Sequence, residues 1–433
     1  MNRSEILVSL DIGTSKVKVI IGEVSNDTIN VIGVGTAESS GMKKGAIVDI
    51  DQTVHAIQSA VDQAERMVDM TIQRVVVSIN GDHIQLQDCH GVVAVSSETR
   101  EIEQEDIARV IEASQVMQIP PEREIVDVIP RQFIVDGQDE ISDPRGMIGV
   151  RLEMQGTLIT CGKTNLHNIL KCVERAGLHV EDISLQPLAA GEVALSQDEK
   201  TLGVGLVNVG AGSTTVSFFA DGHLINTSVI PLGGDNVTKD ISIVLKTSTE
   251  EADQIKLNHG HAQLETANED HTFQVTSIGN DETKTVSQVE IAEIIEARLD
   301  EIFQFVLQEF RRMGYPDLPG GYVLTGGLMQ LPGVVDLARD TFRTNVRLSV
   351  PKHIGVREPQ FSVGLGTLQF AYRNAKIQGK EFGSGIKTQQ SNLEPNTKPK
   401  QQQPKQEQPK RKEKEQTKDK EGFMKKIQNY FFD

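Results

Sequence analysis

The sequence predicts an α/β protein built around two copies of one motif, and three observations carry that expectation. Residues 6–36 and 204–230 each run apolar strand, polar tip with glycine, apolar strand, short turn and third strand. Each copy is followed by helix signals. Asp51 is the expected cap ahead of Val54, Ile57, Val61 and Ala64, and Gly233-Gly234-Asp235 opens the second helix. A third glycine pair, Gly326-Gly327, follows a short strand at 322–325 and precedes a helix expected to open near Leu331 or Pro332. With 433 residues the chain is long enough for two or three domains, here two alike domains facing each other.

The first copy is legible strand by strand. In "LVSLDIGTSKVKVIIGEV", Leu7, Val8 and Leu10 form the first strand, Gly13-Thr14-Ser15 the tip, and Lys16 to Ile21 the second strand. The next turn falls near Asn26-Asp27, with a third strand at Ile29 to Val34. A tip that only had to turn would be served by Asn-Gly or Asp-Gly. A carboxylate, a glycine and two hydroxyls are instead a donor set suited to phosphate and a hydrated cation. The second tip, Gly210 to Thr214 in "VNVGAGSTT", repeats the arrangement. Two such tips can close on one phosphate chain from both sides, while Gly326-Gly327 lets backbone approach a flat ring or a phosphate.

Composition narrows the class. Trp is absent and aromatic residues are few, so the core rests on Ile, Val and Leu. Three scattered cysteines, Cys89, Cys161 and Cys172, have no metal-ligand spacing and point to a reducing compartment. No signal-peptide core and no run of 18 apolar residues occurs, which predicts a cytosolic chain that does not span a membrane. Residues 376–433 hold 14 Lys and Arg against 8 Asp and Glu, so the total of −17 divides into a tail of +6 and a body of −23. Such a body argues against nucleic acid as a partner. No Gly-x4-Gly-Lys-Ser/Thr occurs, which excludes a P-loop mechanism.

Five segments in order over residues 5–372, "LDIGTSK", "LQPLAAGEVAL", "VNVGAGSTT", "VLTGGLMQLPG" and "SVGLGTLQFA", resemble the actin-like ATPase superfamily, which includes actin, seventy-kilodalton heat-shock chaperones and sugar kinases. The resemblance implies duplicated ribonuclease-H-like domains around a nucleotide cleft, with ATP and Mg2+ as cofactors. Within the superfamily, "VSLDIGTS", "KKGAIVDID", "AERM", "GTLIT", "CVERAG" and "TSTEEA" are similar to the FtsA family of bacterial cell-division proteins. That likeness implies a first domain from residues 1–83, 166–198 and 361–380, and a second from 199–242 and 306–360. Residues 84–165 are then an inserted α+β subdomain for filament contacts and partners, and residues 243–305 a subdomain that docks the C-terminal peptide of the tubulin-like protein FtsZ.

By the same matching, Asp11 holds Mg2+ through water and Gln186 orients the hydrolytic water, as the two catalytic candidates. Gly13, Thr14, Ser15 and Lys16 meet the phosphates from one side, Asn208, Gly210, Gly212, Ser213 and Thr214 from the other, and Gly326 with Gly327 borders the adenosine. Asp253 and Lys256 of "EADQIK" either contact ribose and base or form a solvated helix face. One departure matters. The superfamily's second loop usually begins with Asp and runs Gly-Gly-Gly, whereas this chain has Asn208 and Gly210-Ala211-Gly212. A neutral amide brings no negative charge to a hydrated magnesium, so binding is expected to survive with slow hydrolysis. Ala211 is tolerable only if its φ is negative.

The inserted segment predicts a helix carrying Ile107, Val110, Ile111, Ser114 and Met117, then strands at 124–136 and 149–161. The 243–305 segment ends in a helix carrying Ile294, Ile295, Leu299, Ile302, Phe303 and Val306. Residues 381–421, rich in Gln, Lys, Pro and Glu, read as a disordered linker spanning roughly 35 Å as a random coil. Residues 422–433 follow as an amphipathic helix. Phe423, Ile427, Tyr430 and Phe431 share one face, Met424 and Phe432 flank it, and Lys425 and Lys426 supply charge for an anionic membrane surface. The alternative is a helix docked on its own domain, which would not require so long a linker.

The resemblance and the tail together imply a protein that polymerises on the cytoplasmic face of the cell membrane, anchors the FtsZ ring and helps recruit later division proteins. The rival is a small-molecule kinase of the same superfamily. It needs a catalytic base and a substrate pocket; no base stands out, and a lipid-seeking tail serves no soluble kinase. A chaperone would carry a folded substrate-binding domain where the linker stands.

Overall fold

A computed structural model describes residues 5–81, 83–279 and 283–379, with the backbone of a short strand at Ile386–Thr388. The expected terminal helix, with Phe423, Met424, Lys425, Lys426, Ile427, Tyr430, Phe431 and Phe432, lies outside the described residues. So does most of the expected linker. Its early residues Ile386–Thr388 are a correction to that boundary, because they pair as a strand with Met70–Ile72.

Two five-stranded sheets share one connectivity. In the first, the central strand Glu5–Ile12 pairs antiparallel with Lys16–Ser25, which pairs with Thr28–Glu38; on its other side lie Arg74–Ile79 and His179–Leu185, both parallel. In the second, Val204–Val209 takes the central place, followed outward by Thr214–Ala220 and His223–Ile230, with Tyr322–Thr325 and Val346–Leu348 parallel on the far side. Register repeats as well: Asp11 faces Ser78 across the parallel pair, and Asn208 faces Thr325. Both meanders turn on two left-handed residues, Asn26-Asp27 (φ 50° and 59°) and Asp221-Gly222 (φ 52° and 81°), the geometry that matches strand twist in a tight hairpin.

The helix after the first meander is Ile50–Val68, and its cap is Asp49 rather than Asp51. Asp49 retains an extended backbone (φ −142°, ψ 112°), and its carboxylate accepts the Gln52 amide at 3.0 Å. Asp51 lies in the first turn and pairs with Arg175 at 2.6 Å. Val54, Ile57, Val61 and Ala64 are buried as the spacing predicts, against a strand whose Gly35 leaves room for Ala60: a Cβ there would sit 1.9 Å from the Ala60 carbonyl oxygen. The helix after the second meander opens at Gly234 as expected. Beyond Gly326-Gly327 the chain first makes a 3-10 turn, Gly327–Gln330, and its helix begins only at Val334. Gly333 at φ 81° separates the two and delays the start expected at Leu331 or Pro332.

The inserted segment is a four-stranded antiparallel sheet in the order Gln138–Ile141, Arg123–Val135, Arg151–Gly162, Gln85–Ala94, covered by the helix Gln104–Ser114. Ile107, Val110 and Ile111 pack against Val128, Phe133, Leu152, Met154 and Leu158. Met117 does not belong to that helix, which ends at Ser114; it stands on the surface, 39% exposed. In the second subdomain a helix, Thr249–His259, and a hairpin of Thr272–Thr276 with Thr283–Ser287 precede the long helix Gln288–Arg312. That helix buries Ile295, Leu299, Ile302, Phe303 and Val306, with Ile294 half-buried.

Two further helices join the halves, Gln186–Ala194 and Ser362–Gln378. They cross closely at Gly366, where a Cβ would fall 1.8 Å from the Ala189 carbonyl oxygen. The end of the later helix is held by the inserted sheet through Asn374 and Asp127, at 3.0 Å, and by the first meander through Tyr372 and Asp27, at 2.7 Å. The three cysteines are free and buried. Burial pushes the Cys161 and Cys172 thiols up to about 11, so they are protonated packing residues. Among the described residues no helix is long and apolar enough to cross a membrane.

Candidate functional site

The equivalent tips are closed by equivalent bonds. The Gly13 amide donates to the Lys16 carbonyl at 3.1 Å, and the Gly210 amide to that of Ser213 at 3.0 Å. Each bond leaves two residues at an apex, Thr14-Ser15 on one side and Ala211-Gly212 on the other. The apices touch: a Cβ on Gly212 would lie 2.7 Å from Thr14 Oγ1 and 3.1 Å from the Lys44 amide nitrogen. Ala211 is not among the residues with positive φ, so the turn accepts it without strain. The first amides of the helix Gly234–Leu245 hold the second tip from behind, Gly234 donating to Gly210 at 3.0 Å and Asp235 to Ala211 at 2.8 Å. Gly326 lies on the same tip at φ 100°, where a side chain would be strained and would meet the Val209 carbonyl at 2.4 Å.

Between the tips is an open cleft of about 130 Å³. Of the residues singled out from the sequence, Asp11, Gly13, Thr14, Ser15, Lys16, Gln186, Asn208, Gly210, Gly212, Ser213, Gly326 and Gly327 line it. Thr214 does not. It is fully buried and its hydroxyl donates to the Leu232 carbonyl at 2.8 Å, while Thr215, on the opposite face of the strand, reaches the cleft. Asp253 and Lys256 stand behind the second tip. The Lys256 ammonium is buried and donates to Asp253 at 2.6 Å, to Thr238 at 2.7 Å and to the Gly234 carbonyl at 3.3 Å. Lys256 is thus no solvated face; it braces the helix that carries the tip.

Asp11 is the electrostatic centre of the cleft. Its buried carboxylate accepts from Ser78 at 3.0 Å and the Gln186 amide at 2.9 Å on one oxygen, and from the Lys18 ammonium at 3.1 Å on the other. Gln186 reaches it because it is the first residue of its helix, directly after the strand His179–Leu185. Lys18, Ser78 and Asn80 also line the cleft, and the sequence reading passed over all three. Lys18 and Ser78 are the cross-strand partners of Asp11 on its two sides, a relation that only the register reveals. Asn80 crosses the cleft, its amide donating to Thr215 Oγ1 at 2.6 Å. In the second copy Asn208, Thr215 and Thr325 stand where the first has Asp11, Lys18 and Ser78, so the ion pair of Asp11 and Lys18 belongs to the first copy alone.

Comparisons with known proteins agree with this architecture. Two family models match, one described as cell division protein FtsA over residues 205–366 and one as the SHS2 domain inserted in FTSA over residues 81–160. The second falls on the inserted sheet. The chain is 59% identical to the cell division protein FtsA of Bacillus subtilis (strain 168) over 383 residues, covering 88% of this chain and 87% of that protein. It is 36% identical to the protein of that name from Escherichia coli (strain K12), covering 84% and 90%. Among solved structures, the PilM-PilN type IV pilus biogenesis complex aligns with TM-score 0.57 at 17% identity, covering 84% of this chain and 98% of that one. The MreB5 of Spiroplasma citri bound to ADP aligns with TM-score 0.54 at 13% identity, covering 86% and 98%. These structural likenesses establish the actin-like fold. The sequence identities, extending over nearly the whole described body, establish that the chain belongs to the FtsA family of cell division proteins.

Proposed function

We propose that the chain is an ATP-binding, actin-like tether that polymerises at the membrane, holds the FtsZ ring at the cytoplasmic face and helps recruit later division proteins. The observation that carries the nucleotide part is the contact between the two glycine tips, with Asp11 and Gln186 set between them. A phosphate chain suits that gap: Gly13, Thr14, Ser15 and Lys16 would hold it from one side, and Asn208, Gly210, Gly212 and Ser213 from the other. Gly326 and Gly327 would border the adenosine. The MreB5 neighbours are described as bound to ADP and AMPPNP, which supports the same use of the fold here.

The donor set fits Mg2+. Such an ion keeps most of its waters, takes phosphate oxygens and needs only one or two carboxylates; Asp11 offers one, held by three donors. Bound there, the ion would neutralise phosphate charge. Gln186 gives its amide N–H to Asp11, which leaves its carbonyl oxygen to accept from a water. Asn208 withholds the second negative charge, the basis for slow turnover. Asn208→Asp is therefore expected to raise steady-state ATP hydrolysis at least about tenfold, read by phosphate release with and without Mg2+.

Equilibrium dialysis of labelled Mg-ATP against the full chain and Gly212→Val tests the clamp. Valine tolerates the backbone there but drives the tips apart through Thr14, so affinity should fall at least about tenfold. Equal affinity would remove the two-sided clamp. For the FtsZ peptide, support comes from Ile243 and Val244, 62% and 60% exposed beside the paired Asp240, Arg298 and Glu301. Apolar anchors with a charged rim suit a short peptide.

A further inference from the structure

We propose that His259 and His271 form a binding site for a divalent transition-metal ion such as Zn2+, outside the cleft. The His259 Nδ1 and His271 Nε2 atoms face each other at 2.8 Å. Two imidazoles at that distance share one proton, so one of the facing nitrogens already presents its lone pair to the other. Zinc bonds to imidazole nitrogen at about 2.0–2.1 Å in tetrahedral geometry, which places two ligand nitrogens about 3.3 Å apart. With ring centroids 5.1 Å apart the facing nitrogens point nearly straight at each other, so an ion is admitted by widening the gap about 0.5 Å and turning both rings toward it.

Both histidines are fixed from behind by one residue. The Gln288 backbone amide donates to the His271 carbonyl at 2.9 Å, and its side-chain amide donates to the His259 carbonyl at 3.0 Å. Gln288 itself opens the long helix Gln288–Arg312, whose start is locked by the reciprocal bonds of Ser287 and Glu290. The His259 ring also stacks on Phe273, 4.0 Å between centroids and 9° between planes. The donors are therefore held by the ends of two helices and a hairpin, which lowers the ordering cost of binding.

Imidazole pairs select Zn2+, Ni2+ and Cu2+ over Mg2+ and Ca2+, which prefer oxygen. Among the described residues no third His, Cys, Asp or Glu joins the pair, so water completes the coordination. A bound ion would link the C-terminal end of the helix Thr249–His259 to the segment entering the hairpin. The shared proton would move to the far nitrogen of its own ring, leaving both imidazoles neutral and both facing lone pairs on the ion.

Calorimetric titration of the full chain with ZnCl2, after chelator treatment and removal of the chelator, tests this. One saturable Zn2+ site per chain is expected, with no corresponding signal from MgCl2. His271→Gln and His259→Gln should each weaken it at least about tenfold, with the metal-free variants melting as the parent does. His261→Gln, whose ring nitrogen accepts the Gln263 amide instead, should leave binding unchanged. Zn2+ binding that survives both substitutions at 259 and 271, or no saturable binding up to about 1 mM, overturns the assignment.

Discussion

A chain ending at Glu421 is expected to stay in the supernatant with anionic liposomes that pellet the full chain, the loss being complete. The removed residues carry Phe423, Met424, Ile427, Tyr430, Phe431 and Phe432 together with Lys425 and Lys426, the composition that buries an apolar face at the interface while its charges meet lipid headgroups. One such short segment alone would bind weakly. A polymer presents many, and linked weak sites gain steeply in avidity, so Mg-ATP should strengthen pelleting of the full chain and leave the truncated one unaffected. If truncation leaves pelleting intact, the tail is not the anchor and a helix docked on its own domain becomes the better reading.

How far the sequence discloses this architecture depends on whether a feature is local. The strand alternation, the two tips, the hairpin turns at Asn26-Asp27 and Asp221-Gly222, and the stripe of the long helix are each encoded within a dozen residues, and each stands where the pattern puts it. Features set by register are hidden. Lys18 and Ser78 become ligands of Asp11 only through strand pairing, and Thr214 and Thr215 exchange roles because neighbours on a strand point to opposite faces. The edge strand Gln85–Ala94 carries Gln, Asp and His among its apolar residues and shows no clean alternation, and the other edge strand, Gln138–Ile141, has a single apolar residue, which is why only two of the insert's four strands are legible beforehand. Asp49 and Asp51 lie two residues apart and differ only in which one still has an extended backbone.

Gly366→Ala is expected to destabilise the folded chain by about 3 kcal/mol, against the sign that helix propensity alone would give. In an exposed helix interior, replacing glycine by alanine stabilises by roughly 0.5–1 kcal/mol. Here the added methyl would sit 1.8 Å from the Ala189 carbonyl oxygen and 2.5 Å from its carbon. Those are backbone atoms, so no side chain can rotate away, and the two connecting helices must separate. The consequence reaches the cleft, because Gln186 opens the helix that contains Ala189 and donates its amide to Asp11 at 2.9 Å. Shifting that helix withdraws the amide and loosens the carboxylate between the tips. Urea unfolding should show a lower midpoint with an unchanged slope, and Mg-ATP should raise that midpoint less than it does for the parent, since stabilisation by a ligand follows its affinity. A variant as stable as the parent would mean that the helices cross with more room than 1.8 Å implies, and the link from the crossing to Asp11 would fall with it.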